Sequence, residues 1–290
     1  AKTLPQRVEI KAGLAAKNIT VDLGRVIELD LEERELHGEI DALRAQINDA
    51  SKGGKPSPEV IAGIREIKDR LKVMIEKEQV AEKELHELLN ELPNMPAPDV
   101  KVGKDETDNE VIKTVGRPTQ FDFVPKDAND LAIELGMLTM ELPTRSSGSR
   151  FGAWTGVGAL LEFALARYAF DTLVKEGFTP IIPPVLIKPE AMAAMGYLSG
   201  GGESETYHFT GQGDDLYLVG TSEQTIGAMH MNHLFEESDL TKRYVAFSSC
   251  FRREAGTYGK DKGMFRVHQF DKVEMFSFAK PEDSDAEHEY

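Results

Sequence analysis

The chain has 290 residues, of which 40% are hydrophobic and 29% charged, and its formal net charge is −16. This length and composition are typical of a globular protein with two domains and exclude a chain that is disordered throughout. The single cysteine, Cys250, excludes an intrachain disulfide and a cysteine-based metal site, and it favours a reducing compartment. The sequence has no apolar run of ~20 residues and no signal-peptide pattern at its start, so we expect a cytoplasmic protein.

The acidic balance argues against general binding to nucleic acid, but only the charge of the contacting patch decides such binding. Five carboxylates lie in the last ten residues, PEDSDAEHEY. The segment from Ser51 to Lys83 instead has a small excess of Lys and Arg. This excess predicts either a basic binding face or an ordinary solvated helix face, and the pattern alone leaves both open.

The first hundred residues carry helical patterns. Leu4 to Lys17 predicts a short helix, and two heptad series follow on either side of the breaker KGGKPSP, at whose end Ser57 or Pro58 is the predicted start of the second helix. The apolar positions of the first series are Val26, Leu29, Leu36, Ile40, Leu43 and Ile47. The second series consists of Val60, Ile64, Ile67, Leu71, Met74, Glu78, Ala81, Leu85, Leu88 and Leu92.

Because the connection between the two series is short, we expect an antiparallel coiled-coil hairpin over about residues 26–92. Such a hairpin most often has a structural or dimerising role. A long hairpin also has little core of its own, however, and one that projects from a domain usually contacts a partner.

The proline-rich stretch from Pro93 to Pro98 excludes a helix, and we predict a domain boundary there, with domains at residues 1–98 and 99–290. The run GFTPIIPPVL is rich in β-formers, but its prolines restrict it to a sheet edge or an interface. The other elements predicted before this run are a strand at Val111–Val115, a helix at Asp127–Leu135, a strand at Ser149–Trp154 and a helix from about Gly158 to Glu176 that stops at Gly177.

A Gly-rich loop, LSGGGESETY, follows and lacks the spacing and the Lys of a P-loop, so we interpret it as a flexible cover. The next stretch, LYLVGTSEQTIGAMHMNHLF, predicts a strand, a turn and a helix. Thr221 and Glu223 are two apart and can face the same way, although Thr221 or Ser222 can equally act as a helix cap. His230 and His233 lie three apart on the same predicted helix, where packing or surface polarity explains them better than a metal does.

The stretch from Tyr244 to Phe278 predicts a β-hairpin around the loop AGTYGKDKG. Strand alternation places Arg252 and Glu254 on one face of the first strand. On the second strand the residues predicted to share a face are Arg266, His268, Phe270, Lys272 and Glu274. The simplest interpretation is an amphipathic hairpin with a solvated charged face.

The order of these groups favours a binding site instead, because charged and aromatic groups side by side are costly to bury without a ligand. A nucleoside polyphosphate needs such a set. Phe270 can stack on a base, Arg252 and Arg266 can face phosphates, and Glu254 can accept from an exocyclic amine.

This set closely resembles the second signature motif of class II aminoacyl-tRNA synthetases, and CFRREAGTYGKDKGMFRVHQFDKVEMF resembles, more narrowly, the seryl-tRNA synthetase family. LPNMPAPDVKVGKDETDN is similar to the same family at a distant point. The order helix, Gly177, Phe178, strand and Pro184 resembles the first class II motif, which forms a dimer interface in that family. The segment Thr221-Ser222-Glu223 resembles the family's serine-binding Thr-Ala-Glu loop, with Ser in the middle position.

The resemblance implies an α+β fold in which an N-terminal antiparallel α-helical coiled-coil hairpin precedes a class II antiparallel β-sheet domain flanked by helices. It implies a homodimeric serine–tRNA ligase that forms seryl-adenylate from L-serine, ATP and Mg²⁺, and transfers the seryl group to tRNA(Ser) and also to tRNA(Sec). The implied catalytic residues are Arg252, Glu254 and Arg266. ATP would contact Arg252, Arg253, Glu254, Arg266, Val267 and Phe270, and serine would contact Thr221, Ser222, Glu223, Arg252 and Glu274. The implied tRNA contacts are Arg65, Lys68 and Lys72 on the arm and Lys260 and Lys262 in the hairpin loop.

The chain lacks a first Met and stops shortly after the hairpin, so we expect a sequence truncated before the third class II motif, whose activity as a piece is open. The alternative to a ligase is a catalytically inactive, synthetase-like protein that binds tRNA or dimerises. A coiled-coil protein with an unrelated β domain ranks last, since it would need the motif matches to arise by accident.

Overall fold

The computed structural model describes residues 4–51, 57–199, 201–254 and 263–290. It divides into two compact units, residues 1–117 and 118–290. The boundary predicted from the sequence lies earlier, between residues 98 and 99, and stays a prediction. In the part of the chain that the structure describes, no helix has both the length and the apolar character needed to cross a bilayer.

The first unit consists mainly of three helices: α1 (Leu4–Ala16), α2 (Leu23–Ser51) and α3 (Pro58–Asn90). Helix α3 begins as its sequence predicts, because Ser57 is the N-cap, its Oγ accepts from the Val60 amide at 3.3 Å, and Pro58 takes the first helical position. The predicted first helix and both heptad helices are therefore confirmed, whereas the breaker residues 52–56 lie outside the described residues.

Helices α2 and α3 pack as an antiparallel pair. Leu29 packs with Ala81 and Leu85, and Arg25 forms an ion pair with Glu84. Farther along, His37 contacts Glu78, and Glu39 contacts Arg70. Residue numbers on one helix thus rise as those on the other fall, and the buried positions fall on the predicted heptads. The antiparallel hairpin is confirmed.

One predicted strand is wrong. Residues 111–115 form no strand, and Val111, Ile112 and Val115 are almost fully exposed. A strand needs a neighbour to satisfy its backbone groups, and the described residues provide none here. The only regular structure between α3 and residue 117, within the described chain, is the 3₁₀ turn Glu106–Asp108, capped by Asp105.

The second unit contains the remaining elements. Its helices are α4 (Ala128–Glu134), α5 (Glu141–Ser147), α6 (Val157–Lys175), α7 (Pro189–Ala194), α8 (Ser222–Met229) and α9 (Ser284–Glu289). Its strands are β1 (Leu138–Thr139), β2 (Ala153–Trp154), β3 (Thr179–Ile181), β4 (Leu186–Ile187), β5 (Tyr207–Gly211), β6 (Asp214–Leu218), β7 (Lys242–Phe251) and β8 (Gln269–Phe278).

The described strands form three sheets, β1-β2, β3-β7-β8 and β4-β6-β5. All of their pairs are antiparallel except β3 with β7. The predicted β-hairpin is the long β7–β8 pair, in which Ala246 lies opposite Glu274, and Cys250 opposite Phe270. Strand β3, which contains Pro180, lies at an edge of its sheet, as its prolines predict.

The predicted helices at 127–135 and 158–176 are confirmed as α4 and α6, and the turn into α8 also forms as expected. Gly177 follows α6 with a φ of 88°, which favours glycine at a helix end. The predicted strand at 149–154 shortens to β2, since Arg150 has a φ of 61° and cannot continue an extended strand. Helix α8 ends at Met229, so His230 and His233 lie after it, where they pack against Phe235.

Candidate active site

The first part of the site is the start of α8. Thr221 is the N-cap, and its Oγ1 accepts from the Glu223 amide at 3.3 Å. Thr221 and Ser222 are both buried. The Gly220 amide is held by the side chain of Gln224 at 2.8 Å, which closes the turn between β6 and α8. The capping role of Thr221 is therefore real, and it fixes the residues beside it.

Glu274 reaches this turn from β8. Its Oε2 accepts from Thr221 Oγ1 at 2.5 Å, from Ser222 Oγ at 2.8 Å and from the Glu223 amide at 3.3 Å. Its Oε1 accepts from Lys272 Nζ at 2.7 Å, and the same ammonium donates to Thr221 Oγ1 at 2.6 Å. Both carboxylate oxygens of Glu274 thus have donors within the protein.

These contacts decide the ionisation of Glu274. Burial acts to raise the pKa of Glu274, but hydrogen bonds from Lys272, Thr221 and Ser222 together outweigh it, so the pKa lies below its usual value. The carboxylate is therefore charged at neutral pH and suited to bind a cation.

Glu223 is the other acid of the site and has a different environment. Its Oε2 accepts from the Tyr197 hydroxyl at 3.1 Å, and Tyr197 comes from the segment after α7. Burial, followed by the negative charge of Glu223, raises the pKa of Tyr197 to about 12. The tyrosine therefore stays protonated and donates to the carboxylate.

Arg252 lies at the end of β7 and connects two groups of residues. Its Nε and Nη2 donate to the Gly220 carbonyl at 3.3 and 3.2 Å, next to Thr221. Its guanidinium also lies over the Phe270 ring, 5.2 Å from the centroid. One cation thus touches both the turn before α8 and the aromatic ring predicted to stack on a base.

The next ion pair joins Glu254 to Arg266. The Glu254 backbone has a φ of 52°, which is uncommon for a residue other than glycine, and its carbonyl accepts from Arg150 Nη1 at 3.1 Å. Backbone strain of this kind clusters at functional sites, although it does not identify a function.

The hairpin differs from the prediction at its ends. Strand β7 stops at Phe251 and β8 starts at Gln269, so strand alternation does not place Arg252, Glu254, Arg266 or His268. Instead, His268 holds the chain beyond β7, since its carbonyl accepts from the Arg252 amide at 3.0 Å and its Nδ1 lies 3.0 Å from the Arg252 carbonyl. The prediction is correct for Phe270, Lys272 and Glu274.

The remaining residues predicted to bind ligands lie outside the polar cluster. Arg253 is exposed and Val267 is buried. Three cations predicted to contact tRNA, Arg65, Lys68 and Lys72, are exposed on α3. The other two, Lys260 and Lys262, lie outside the described residues.

The structure adds three residues that the sequence did not single out as site residues. Alternation already placed Lys272 on the face of Glu274, so a cation two residues before a carboxylate on the same face was a signal that could have been used. Tyr197 and Gln224 had no such local signal, because their contacts depend on the folding of separate segments. Within the described residues, no three His, Cys, Asp or Glu side chains come together to hold a metal ion.

Two family models match the chain. The Seryl-tRNA synthetase N-terminal domain matches residues 6–96, and the tRNA synthetase class II core domain (G, H, P, S and T) matches residues 207–290.

Similar proteins cover most of the chain. A serine–tRNA ligase of Streptomyces coelicolor is 40% identical over 98% of this chain and 68% of its own length. One from Nocardia farcinica is 43% identical over 91% of this chain, and the match spans 63% of that relative. A crystal structure of the Pyrococcus horikoshii seryl-tRNA synthetase complexed with ATP is 33% identical with a TM-score of 0.78, covering 97% of this chain and 69% of that one.

Proposed function

The chain belongs to the seryl-tRNA synthetase family. We therefore propose that it functions in a serine–tRNA ligase, which activates L-serine with ATP and then transfers the seryl group to tRNA(Ser) and also to tRNA(Sec). The chain spans only about two thirds of the length of the relatives it matches. The ligase activity, its substrates and its partners are therefore all proposals for this chain.

The observation that carries the proposal is the position of Arg252. Activation requires a carboxylate to meet the α-phosphorus of ATP, and both groups are negatively charged. Arg252 extends between the Gly220 carbonyl, beside the Thr221-Ser222-Glu223 turn, and the face of Phe270. A guanidinium in this place can bind the serine carboxylate and the α-phosphate together.

The other residues take roles that fit their surroundings. Phe270 would stack on adenine, Glu254 would accept from its amino group, and Arg266 would face the terminal phosphates. Arg253 and Val267 would add ATP contacts at the same end of the hairpin. Arg266 forms an ion pair with Glu254 in the free protein, so the phosphates and the adenine amino group of ATP would have to contact these two side chains while they are paired with each other.

Thr221, Ser222, Glu223 and Glu274 would bind serine through its ammonium and hydroxyl groups. A serine carboxylate oxygen attacks the α-phosphorus, the bond from that phosphorus to the bridging oxygen breaks, and pyrophosphate leaves. A terminal ribose hydroxyl of tRNA then attacks the acyl carbon and loses its proton, and AMP departs.

Magnesium enters the proposal as part of the substrate. Within the described residues no three His, Cys, Asp or Glu side chains come together, and ATP phosphates hold Mg²⁺ themselves. We therefore assign no step to a protein-bound ion, and phosphate alignment falls to Arg252 and Arg266.

The arm supports the RNA part of the proposal. Arg65, Lys68 and Lys72 are exposed on α3, where they could contact phosphates of the tRNA, and Lys260 and Lys262 would meet its acceptor end. The proposal also includes a cytoplasmic location, a homodimer, an arm domain at residues 1–98 and a catalytic domain at residues 99–290.

The test is serine-dependent exchange of labelled pyrophosphate into ATP, measured on this chain and on the natural protein that contains it. We expect exchange with serine and none with alanine, because buried acceptors left without the hydroxyl reject alanine by about 10⁴-fold. Folded protein that shows no exchange in either form would remove the ligase proposal and favour the inactive, synthetase-like binding protein.

A further inference from the structure

The two acids of the proposed serine site are held in different ways. Glu274 has donors on both of its oxygens, three on Oε2 and the Lys272 ammonium on Oε1. Within the described residues, the Glu223 carboxylate has a single hydrogen-bond donor, the Tyr197 hydroxyl, and it engages only Oε2. Glu223 therefore keeps an oxygen ready to accept from a ligand.

We propose that Tyr197 is a positioning residue that orients Glu223 so that its other carboxylate oxygen receives a polar hydrogen of serine. This inference rests on the proposed function. It makes Glu223 the less occupied acceptor for serine, since one oxygen of Glu223 has no donor among the described residues, whereas both oxygens of Glu274 already accept hydrogen bonds.

Tyr197 is well fixed for this role. It follows Gly196, whose φ of 81° ends α7, and its amide donates to the Met192 carbonyl at 3.3 Å. Its side chain packs against the buried cluster of Ile187, Met192, Tyr217 and Val219. The ring is thus held in the core while its hydroxyl reaches the site.

The loop after Tyr197 closes against it. A Cβ on Gly202 would lie 2.2 Å from the Tyr197 carbonyl oxygen, so only glycine fits there, and the Gly202 amide donates to the Ser199 carbonyl at 3.0 Å. The backbone at Gly202 therefore lies directly against the Tyr197 carbonyl, a contact that the interpretation of the Gly-rich segment as a cover did not predict.

Glu223 has limited freedom of its own. Its amide is fixed by Thr221 Oγ1 and Glu274 Oε2, both at 3.3 Å, so only the side-chain torsions decide where the carboxylate points. A hydrogen bond to one oxygen selects one of those orientations. Without it the carboxylate would sample several, and serine would have to restore the order when it binds.

The test is Tyr197→Phe, assayed by pyrophosphate exchange in whichever form of the protein is active. Loss of one hydrogen bond to a charged group should raise KM for serine by about tenfold and leave KM for ATP within about twofold. Tyr244→Phe is the matched control, because it removes the hydroxyl of a buried tyrosine whose partner is His230, outside the proposed serine site. It should leave both KM values unchanged.

A second variant covers the case in which Tyr197→Phe does not fold. Glu223→Asp keeps the charge but shortens the side chain, so it should show the same serine-selective rise in KM. Where Tyr197→Phe does fold, adding it to Glu223→Asp should change KM for serine by less than about twofold, since the contact is already lost.

Unchanged serine KM in Tyr197→Phe or Glu223→Asp, or equal changes for serine and ATP, would overturn the inference. Additive effects in the double variant would overturn it as well. Lack of exchange in the parent protein would instead overturn the proposed function, and the inference with it.

Discussion

The α2–α3 hairpin and the β7–β8 hairpin are stabilised by different kinds of contact. The helical hairpin buries a narrow apolar seam around Leu29, Ala81 and Leu85, and its charged pairs lie on the surface. The strand hairpin instead places Lys272 and Glu274 against the buried hydroxyls of Thr221 and Ser222. Apolar packing stabilises the first, and buried polar contacts define the second.

The difference teaches where substitutions should matter. Exposed ion pairs are screened by water, so apolar deletions should dominate in the arm. In the strand hairpin each polar group has several partners, so the loss of one charge leaves others unpaired.

The largest effect is expected at Arg252. Arg252→Ala removes the cation proposed to join the serine carboxylate to the α-phosphate, and serine-dependent exchange should fall about 10²- to 10³-fold. Arg243→Ala, on the strand β7 that leads to Arg252, is the control. Arg243 binds Glu287 through two hydrogen bonds and stacks on Tyr290, 4.2 Å from the ring centroid, so its loss should lower stability rather than exchange by the folded protein. Equal losses of exchange in the two variants would contradict the proposed role of Arg252 in binding the serine carboxylate and the α-phosphate.

The arm should respond most strongly at Leu29, which is 1% exposed. Leu29→Ala should lower the free energy of unfolding of the arm by about 2–4 kcal/mol, because it leaves a cavity in the seam. Leu31→Ala is the matched control two residues away, where the leucine is 55% exposed, and it should cost less than about 0.5 kcal/mol. Urea unfolding followed by helical circular dichroism measures both. Similar losses would mean that the seam does not hold the arm.

The same contrast explains what the sequence could predict. Periodic apolar residues and a Ser-Pro start were enough to place α2 and α3, because a helix is a local structure. The short β-rich run at Val111–Val115 failed because a strand depends on a partner elsewhere in the chain. In the site, alternation placed Lys272 and Glu274 correctly. The contact of Tyr197 with Glu223 had no signal, since it joins the end of α7 to the start of α8.

Acid should weaken the strand hairpin through Glu274. The pKa of this carboxylate is lower in the folded protein than its ordinary value of 4.5, so its stabilising contribution is present at neutral pH and is lost as pH falls through the folded pKa. Glu274→Gln should cost about 1–3 kcal/mol at neutral pH and flatten the loss of stability between about pH 5 and pH 3. Urea unfolding across this range provides the measurement.

Glu190→Gln, at an exposed position on α7, is the control for that experiment. Its loss of stability with acid should follow that of the parent protein. If Glu274→Gln also follows the parent, the hydroxyls and Lys272 do not favour the charged form, and the buried network would resemble the surface pairs of the arm.

The smallest effect is expected at the ion pair of Arg25 with Glu84. The geometry is bidentate, at 2.7 and 2.8 Å, and the hydrogen bond from Arg25 lowers the pKa of Glu84. However, the side chains are 39% and 43% exposed, so water and salt screen the attraction. Arg25→Ala should shift the urea midpoint of the arm far less than Leu29→Ala, and the shift should shrink further when salt is raised. A shift as large as that of Leu29→Ala, and insensitive to salt, would mean that a charged pair holds the base of the arm. The helical hairpin would then depend on polar contacts as the strand hairpin does.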